Sequence, residues 1–217
     1  MRYNKTFFDK NTEIPESQAV LALDTSFRVV FTRGRTKVNF AITAANDLEV
    51  IMTWHRTIHD FSMEVEKHRK DGPQFVTGKI AKNHTSKIFD AAKPEDIEKL
   101  ILNRDHEVWY RGDRTHRSGG PAFSVYREGF RSQTWYHMGV VHRVDGPAAI
   151  LEKAGEPTSY QWFFENQQIP LHGEKITIDQ LIAILNKSNK QMVIDIGRAT
   201  GVFDAQMANT LDLGLSF

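Results

Sequence analysis

Histidine, arginine and tryptophan are the residues with the most chemistry to offer in this chain. There are nine histidines, and three of them open nearly the same phrase: HRKDGPQFV from His68, HRSGGPAFS from His116 and HRVDGPAAI from His142. Imidazole titrates near neutral pH. General acid–base work, as in a metal-independent nuclease, would therefore be sought first at His116, His142 and the neighbouring His137. His55 and His59 stand four apart, the spacing of a metal pair on a helix. Arg56, however, fills the place where a metalloprotease motif carries its glutamate base. No metal site is assigned there, and no cofactor is implied. Arginine and aromatic side chains offer recognition instead. Arg111, Arg114, Arg117, Arg127, Arg131 and Arg143 interleave with Trp109, Tyr110, Trp135 and Tyr136, a mixture suited to stacking on single-stranded RNA or DNA. Arg33 and Arg35 flank a glycine at a basic hairpin tip that could grip phosphates.

Spacing decides how these residues are used. Trp109-Tyr110 corresponds to Trp135-Tyr136, His116-Arg117 to His142-Arg143 and Gly120-Pro121 to Gly146-Pro147, each pair 26 residues apart. Trp162-Phe163 follows Trp135 by 27 and opens a unit that decays into NQQIPLHG. The unit reads as aromatic strand, glycine turn, His-Arg corner and a second strand. Asp145-Gly146 supplies the turn chemistry, and Pro147 begins a strand where its missing N–H is tolerated. Units this short cannot bury a face alone, so neighbours must share a core. An active site is needed once, whereas this phrase recurs. His142 and Arg143 are therefore expected to fix a corner by bonding turn carbonyls or Asp145, and His116-Arg117 to do the same although Gly119 replaces the aspartate. The tryptophans should be core and the tyrosines partly exposed, with Trp135, in the middle unit, the most buried tryptophan.

The pattern W-Y-x-x-G-x-x-H-R-x-D-G-P-A resembles the "HREDGPA" repeats of uncharacterised phage and bacterial proteins, a variant related to MORN-type β-hairpin repeats. The resemblance covers residues 61–173 with gaps. It implies a repeat sheet and a phage setting, and carries no activity with it. The Trp162 unit, without the His-Arg phrase, is expected to be a terminal, capping repeat.

The flanks are plainer. FRVVFTRGRTKVNFAI reads as a hairpin around Gly34 with Val29, Phe31, Val38, Phe40 and Ile42 facing inward. NDLEVIMTWHRTIHDF places Leu48, Ile51, His55 and Ile58 at helical spacing after a capping Asn46 or Asp47, which predicts a helix. KPEDIEKLILN predicts a helix at about 93–103, with Ile97, Leu100 and Ile101 as its stripe. TIDQLIAILNK opens with a capping box, Thr177 with Gln180. The tail predicts a short strand at 192–196, a turn at GRATG and a weak final helix.

The fold expected is α+β: an antiparallel β-meander of hairpin repeats over 61–173 with a helical insertion, an N-terminal hairpin plus helix over 1–60, and a helical segment over 174–217. Among 217 residues, 28 Lys and Arg meet 27 Asp and Glu; within 106–173 the count is seven against seven. Net charge thus argues for neither a nucleic-acid nor a membrane partner. The chain has no cysteine, which excludes disulfides, thiolate zinc and cysteine nucleophiles, and fits a reducing compartment. MRYNKTFFDKN lacks the apolar run of a signal peptide, so a cytoplasmic setting is expected, the host's if phage-encoded. Three functions follow. The first is a non-enzymatic interaction protein that binds and modulates a host or defence protein, with Tyr110, Arg117, Tyr136, Arg143, Arg33 and Arg35 as candidate binding residues. The second is a single-strand RNA or DNA binder. The third is a histidine-dependent nuclease. Trp109, His116, Trp135, His142, Asp145, Gly146, Pro147 and Trp162 are assigned to the repeat framework.

Overall fold

Alternation of apolar and polar residues builds most of this protein. The computed structural model describes residues 2–9, 12–16, 18, 26–44, 48–57, 65–66, 69, 72–185 and 189–204. The fold is α+β, mostly antiparallel strands in a meander with four α-helices among the described residues. The chain divides into two compact halves, Met1–Arg114 and Thr115–Phe217.

In the first half, strands β1 (Asn4–Asp9), β2 (Thr12–Ile14), β3 (Phe27–Arg33), β4 (Thr36–Ala44), β5 (Leu48–Thr57), β6 (Val65–Glu66), β7 (Phe75–Ile80) and β8 (Asn103–Val108) form one antiparallel sheet. Its order is β2-β1-β3-β4-β5-β7-β8, with β6 beside β5. The β3–β4 hairpin closes at Arg33↔Thr36 through Gly34, whose φ of 56° suits glycine. Val29, Phe31, Val38, Phe40 and Ile42 all face the core, as their alternation predicts. After β7 come helices α1 (Thr85–Asp90) and α2 (Pro94–Glu98), which bring Ile88, Phe89, Ile97 and Ile101 onto the same core. The inserted helix is thus shorter than the 93–103 expected, because Asn103 already begins β8; of its expected stripe Ile97 and Ile101 are buried and Leu100 is partly buried.

The segment expected to be a helix after residue 46 is instead β5. Leu48, Val50, Met52 and Trp54 alternate along it and are all buried. Ile51, the middle of the supposed helical stripe, is 46% exposed. Both periods fit the sequence. Pairing with β4 on one side and β7 on the other makes the strand the one that satisfies the backbone and buries a whole face.

A short ribbon pairs β9 (Tyr110–Arg111) with β10 (Arg114–Thr115). In the second half, β11 (Phe123–Arg127), β12 (Phe130–Thr134), β15 (Ala149–Lys153), β16 (Ser159–Phe164) and β17 (Gln167–Ile169) pair in sequence order. Between β12 and β15 the chain makes a small separate ribbon, β13 (Tyr136–His137) with β14 (Val140–Val141). The units opened by Trp109 and Trp135 thus each contain an extra two-stranded ribbon beyond the two strands expected.

After β17 come α3 (Ile178–Leu185) and α4 (Lys190–Ala199). The capping box closes α3: Thr177 N donates to Gln180 Oε1 at 2.9 Å and Gln180 N to Thr177 Oγ1 at 3.3 Å. The strand expected at 192–196 is a helix instead. Asn189 Oδ1 caps it, accepting from Gln191 N and Met192 N, and its buried Met192, Val193 and Ile196 pack with Leu181, Ile184 and Phe203. The expected final helix lies outside the described residues.

Candidate functional site: the repeat corners

At each described corner the arginine lies over its own glycine. In the third copy, Arg143 donates from Nη1 to Pro147 O at 3.2 Å and from Nε to Asp145 at 2.7 Å, with its guanidinium 4.2 Å from the Trp135 ring centroid. In the second, Arg117 donates to Pro121 O at the same 3.2 Å, so the carbonyl bond persists where Gly119 replaces aspartate. Arg69 in the first copy repeats the pattern, donating to Pro73 O at 3.2 Å and lying 4.6 Å over Trp54. Its carboxylate comes from farther away: buried Glu98 takes it at 2.7 and 3.0 Å.

This arrangement explains the glycine. Gly120 and Gly146 do not adopt positive φ. A Cβ on Gly146 would sit 2.8 Å from the Arg143 guanidinium carbon, and one on Gly120 would sit 3.0 Å from that of Arg117. At Gly120 and Gly146 the residue is small so that the guanidinium can lie flat, rather than for turn conformation as the sequence suggested, whereas Gly72 also has a φ of 141°, which itself favours glycine.

The two described corner histidines reach the next repeat. His116 Nδ1 accepts the Met138 N–H, and His142 Nδ1 accepts that of Glu165, both at 3.3 Å. The carbonyl before each histidine takes the following N–H: Thr115 O from Gly139 at 2.9 Å, and Val141 O from Asn166 at 2.9 Å. Met138 and Glu165 have left-handed φ, 50° and 49°, because the two-residue turns that present these N–H groups require it. His116 and His142 are therefore clamps between successive repeats.

The rings form a row. His116 to His137 is 5.0 Å between centroids, His137 to His142 is 6.0 Å, and His142 to Phe164 is 4.8 Å. Burial, together with the neighbouring His137, lowers the His142 pKa below the usual imidazole value. The three residues singled out for acid–base chemistry are thus adjacent, but the Nδ1 atoms of His116 and His142 are already accepting backbone protons. Among the described residues, no cluster of three or more His, Asp or Glu could hold a metal ion. His55 lies on β5 and His59 outside the described residues.

The four tryptophans of the chain mark four units. Trp54 opens the first, which the sequence had begun only at His68: Trp54 N donates to Gln74 O just as Trp135 N donates to Ala148 O, both at 2.8 Å. The aligned Trp-to-His spacing lengthens from seven residues to fourteen in that first copy, which hid it. Trp135 is not the most buried tryptophan. It is half-buried under Arg143, whereas Trp162 is 1% exposed and Trp54 5%. Trp162 leads because α3 and α4 close over the last repeat, and its Nε1 donates to Gly173 O at 3.0 Å.

The other candidates are scattered. Tyr110 and Tyr136 are half-buried on their ribbons, and Tyr110 N donates to Gln74 Oε1 at 2.6 Å. Arg33 and Arg35 are exposed at the β3–β4 tip, with Arg33 4.4 Å over Tyr3. The sequence did not single out the β11–β12 tip by itself. There, half-buried Tyr126 and Phe130 with exposed Arg127 and Arg131 border a shallow cavity of about 360 Å³. Arg131 lies 5.9 Å over Tyr126 and pairs with Glu152 at 3.5 Å. Among the described residues no helix is long and apolar enough to cross a membrane. No protein-family model, curated protein or solved structure matches the chain.

Proposed function

We propose that this chain is a non-enzymatic interaction protein, phage-encoded as its repeat resemblance implies, that binds and modulates a host or defence protein. One observation carries the reading. The recurring His-Arg-Gly-Pro groups are engaged with the chain's own backbone, while the β11–β12 tip offers aromatic and arginine side chains to solvent around a shallow cavity. Tyrosine and arginine are the side chains that most often dominate protein–protein binding energy. The single-strand alternative needs aromatic faces and arginines open to bases. Arg143 covers Trp135 and donates to Pro147, which favours the protein-binding reading over a stacking strip. The nuclease alternative needs imidazoles available to a substrate, and two of the three accept backbone N–H groups.

Affinity capture of the tagged full chain from a bacterial host tests the proposal. A stoichiometric partner retained by the natural chain and lost from a Tyr126→Ala/Arg131→Glu variant is the expected result. Recovery of no partner, or a partner indifferent to the variant, would turn the reading away from this tip.

A further inference from the structure

A cavity of about 510 Å³ in the first half is lined by charges that the repeat corners do not use. Strand β1 and the residues before it bring Arg2, Tyr3 and Lys5, the β3–β4 tip brings Arg33, and the stretch from the end of α1 to the start of α2 brings Asp90 and Lys93. Four cations and one carboxylate face this space, in a chain whose net charge is +1. Arg2, Arg33 and Lys93 make no ion pair with any described residue. Unneutralised like charges held together repel, and a surrounding concavity focuses their field on whatever enters.

Two of the four are positioned in advance. Arg33 rests 4.4 Å over the Tyr3 ring, which is itself held edge-on to Phe31 at 6.2 Å. Lys5 Nζ donates to Phe89 O and lies 5.4 Å over Phe7, leaving two of its three N–H donors for a ligand. Such prior ordering lowers the entropic cost of binding. Glu95 also acts on Tyr3: burial first, then this carboxylate, raises the phenol pKa against the pull of Arg33 and Arg69. Tyr3 therefore stays a neutral hydroxyl that can donate to an anion.

We propose that this cavity binds a small phosphate-bearing molecule carrying two or more negative charges, with Lys5 and Arg33 on the phosphate and Arg2 and Lys93 around it. The arginine fork matches phosphate oxygens, and the charge surplus matches a diphosphate or larger group better than a single carboxylate. The volume is in the range of small-molecule sites and exceeds what a lone phosphate fills. Phosphate could also come from a nucleic-acid backbone, which proteins track along a groove rather than in one cavity. The site is independent of the partner-binding proposal and can stand or fall without it.

Isothermal titration of the full chain at about 50 mM salt, where surface charge is weakly screened, tests it. The probes are pyrophosphate, adenosine triphosphate and a short oligothymidylate. Pyrophosphate and the triphosphate are expected to bind. An Arg2→Glu/Lys93→Glu variant, melting like the natural chain, is expected to lose about tenfold or more in affinity for them. Should that variant melt early, Lys93→Ser alone is expected to lose about threefold. Absence of binding by both phosphate probes, or affinity unchanged in the variants, overturns the site. Oligothymidylate binding tighter than the triphosphate and lost in the same variants overturns the small-molecule assignment in favour of a backbone.

Discussion

The first half and the middle repeats solve the same problem with different forces. In the first half, β3, β4, β5 and β7 run six to ten residues each and drive fully buried side chains into one continuous apolar core. In the repeats, strands of two to five residues leave nearly everything half-buried; between 115 and 158 the buried hydrophobic side chains are Ala122, Val125 and Ala148. What burial does for the first half, polar corners do there: an arginine over each glycine, and a histidine taking the next repeat's N–H. Only at Trp162, under α3 and α4, does a large apolar core return. Short strands can be held in register by bonds to the backbone, but the array still ends against an apolar lid.

The largest effect should come from that lid. Trp162→Ala is expected to cost about 3–5 kcal/mol in urea unfolding, the usual range for a buried tryptophan, and Trp135→Ala clearly less. Equal losses would erase the contrast between the capped and the middle repeat. Next, Gly146→Ala should displace the Arg143 guanidinium from Pro147 O and cost about 1–2 kcal/mol. Repeated in an Arg143→Ala background, the same substitution should cost almost nothing. Additive losses in that double-mutant cycle would mean the glycine serves the backbone rather than the arginine. Thr177→Ala, which opens the α3 capping box, should cost about 1 kcal/mol and leave the repeats' amide-exchange protection unchanged.

The smallest effect is a pH dependence. His142 has a folded pKa below its unfolded value, from burial first and His137 second, with Glu165 and Asp195 opposing. The unfolded chain therefore takes up this proton first. The clamp's contribution is present above about pH 6.5, the unfolded imidazole value, and is lost as pH falls below it. His142→Asn keeps an acceptor for Glu165 N but cannot titrate. Its melting temperature should fall less between pH 7 and 5.5 than that of the natural chain, and parallel curves would remove the histidine from the clamp.

Much of the second half was legible because its signals are local. The corner role of Arg143 and Asp145 and the survival of that corner at Gly119 depend on residues within a few positions of one another, and the 26-residue repeat shows because those local phrases recur. The Thr177 box was readable for the same reason. Leu48–Trp54 was not, since that stretch carries both a helical and a strand period; only pairing with β4 and β7 chooses between them. Met192–Ile196 failed similarly. An apolar run reads as a strand until Asn189 caps it and Phe203 packs against Gly197, where a Cβ would meet the ring at 2.1 Å.

By itself, then, the sequence determined the strand-rich α+β class, the repeat and its corners, because turn chemistry and alternation act over a few residues. The tertiary structure decided which tryptophan is core, that His116 and His142 reach forward to the next repeat, and that Arg2, Lys5, Arg33 and Lys93 meet at one cavity. The histidine and cavity contacts join residues up to 91 positions apart. Burial and charge convergence depend on where strands from distant parts of the chain come to lie, and no local period records that.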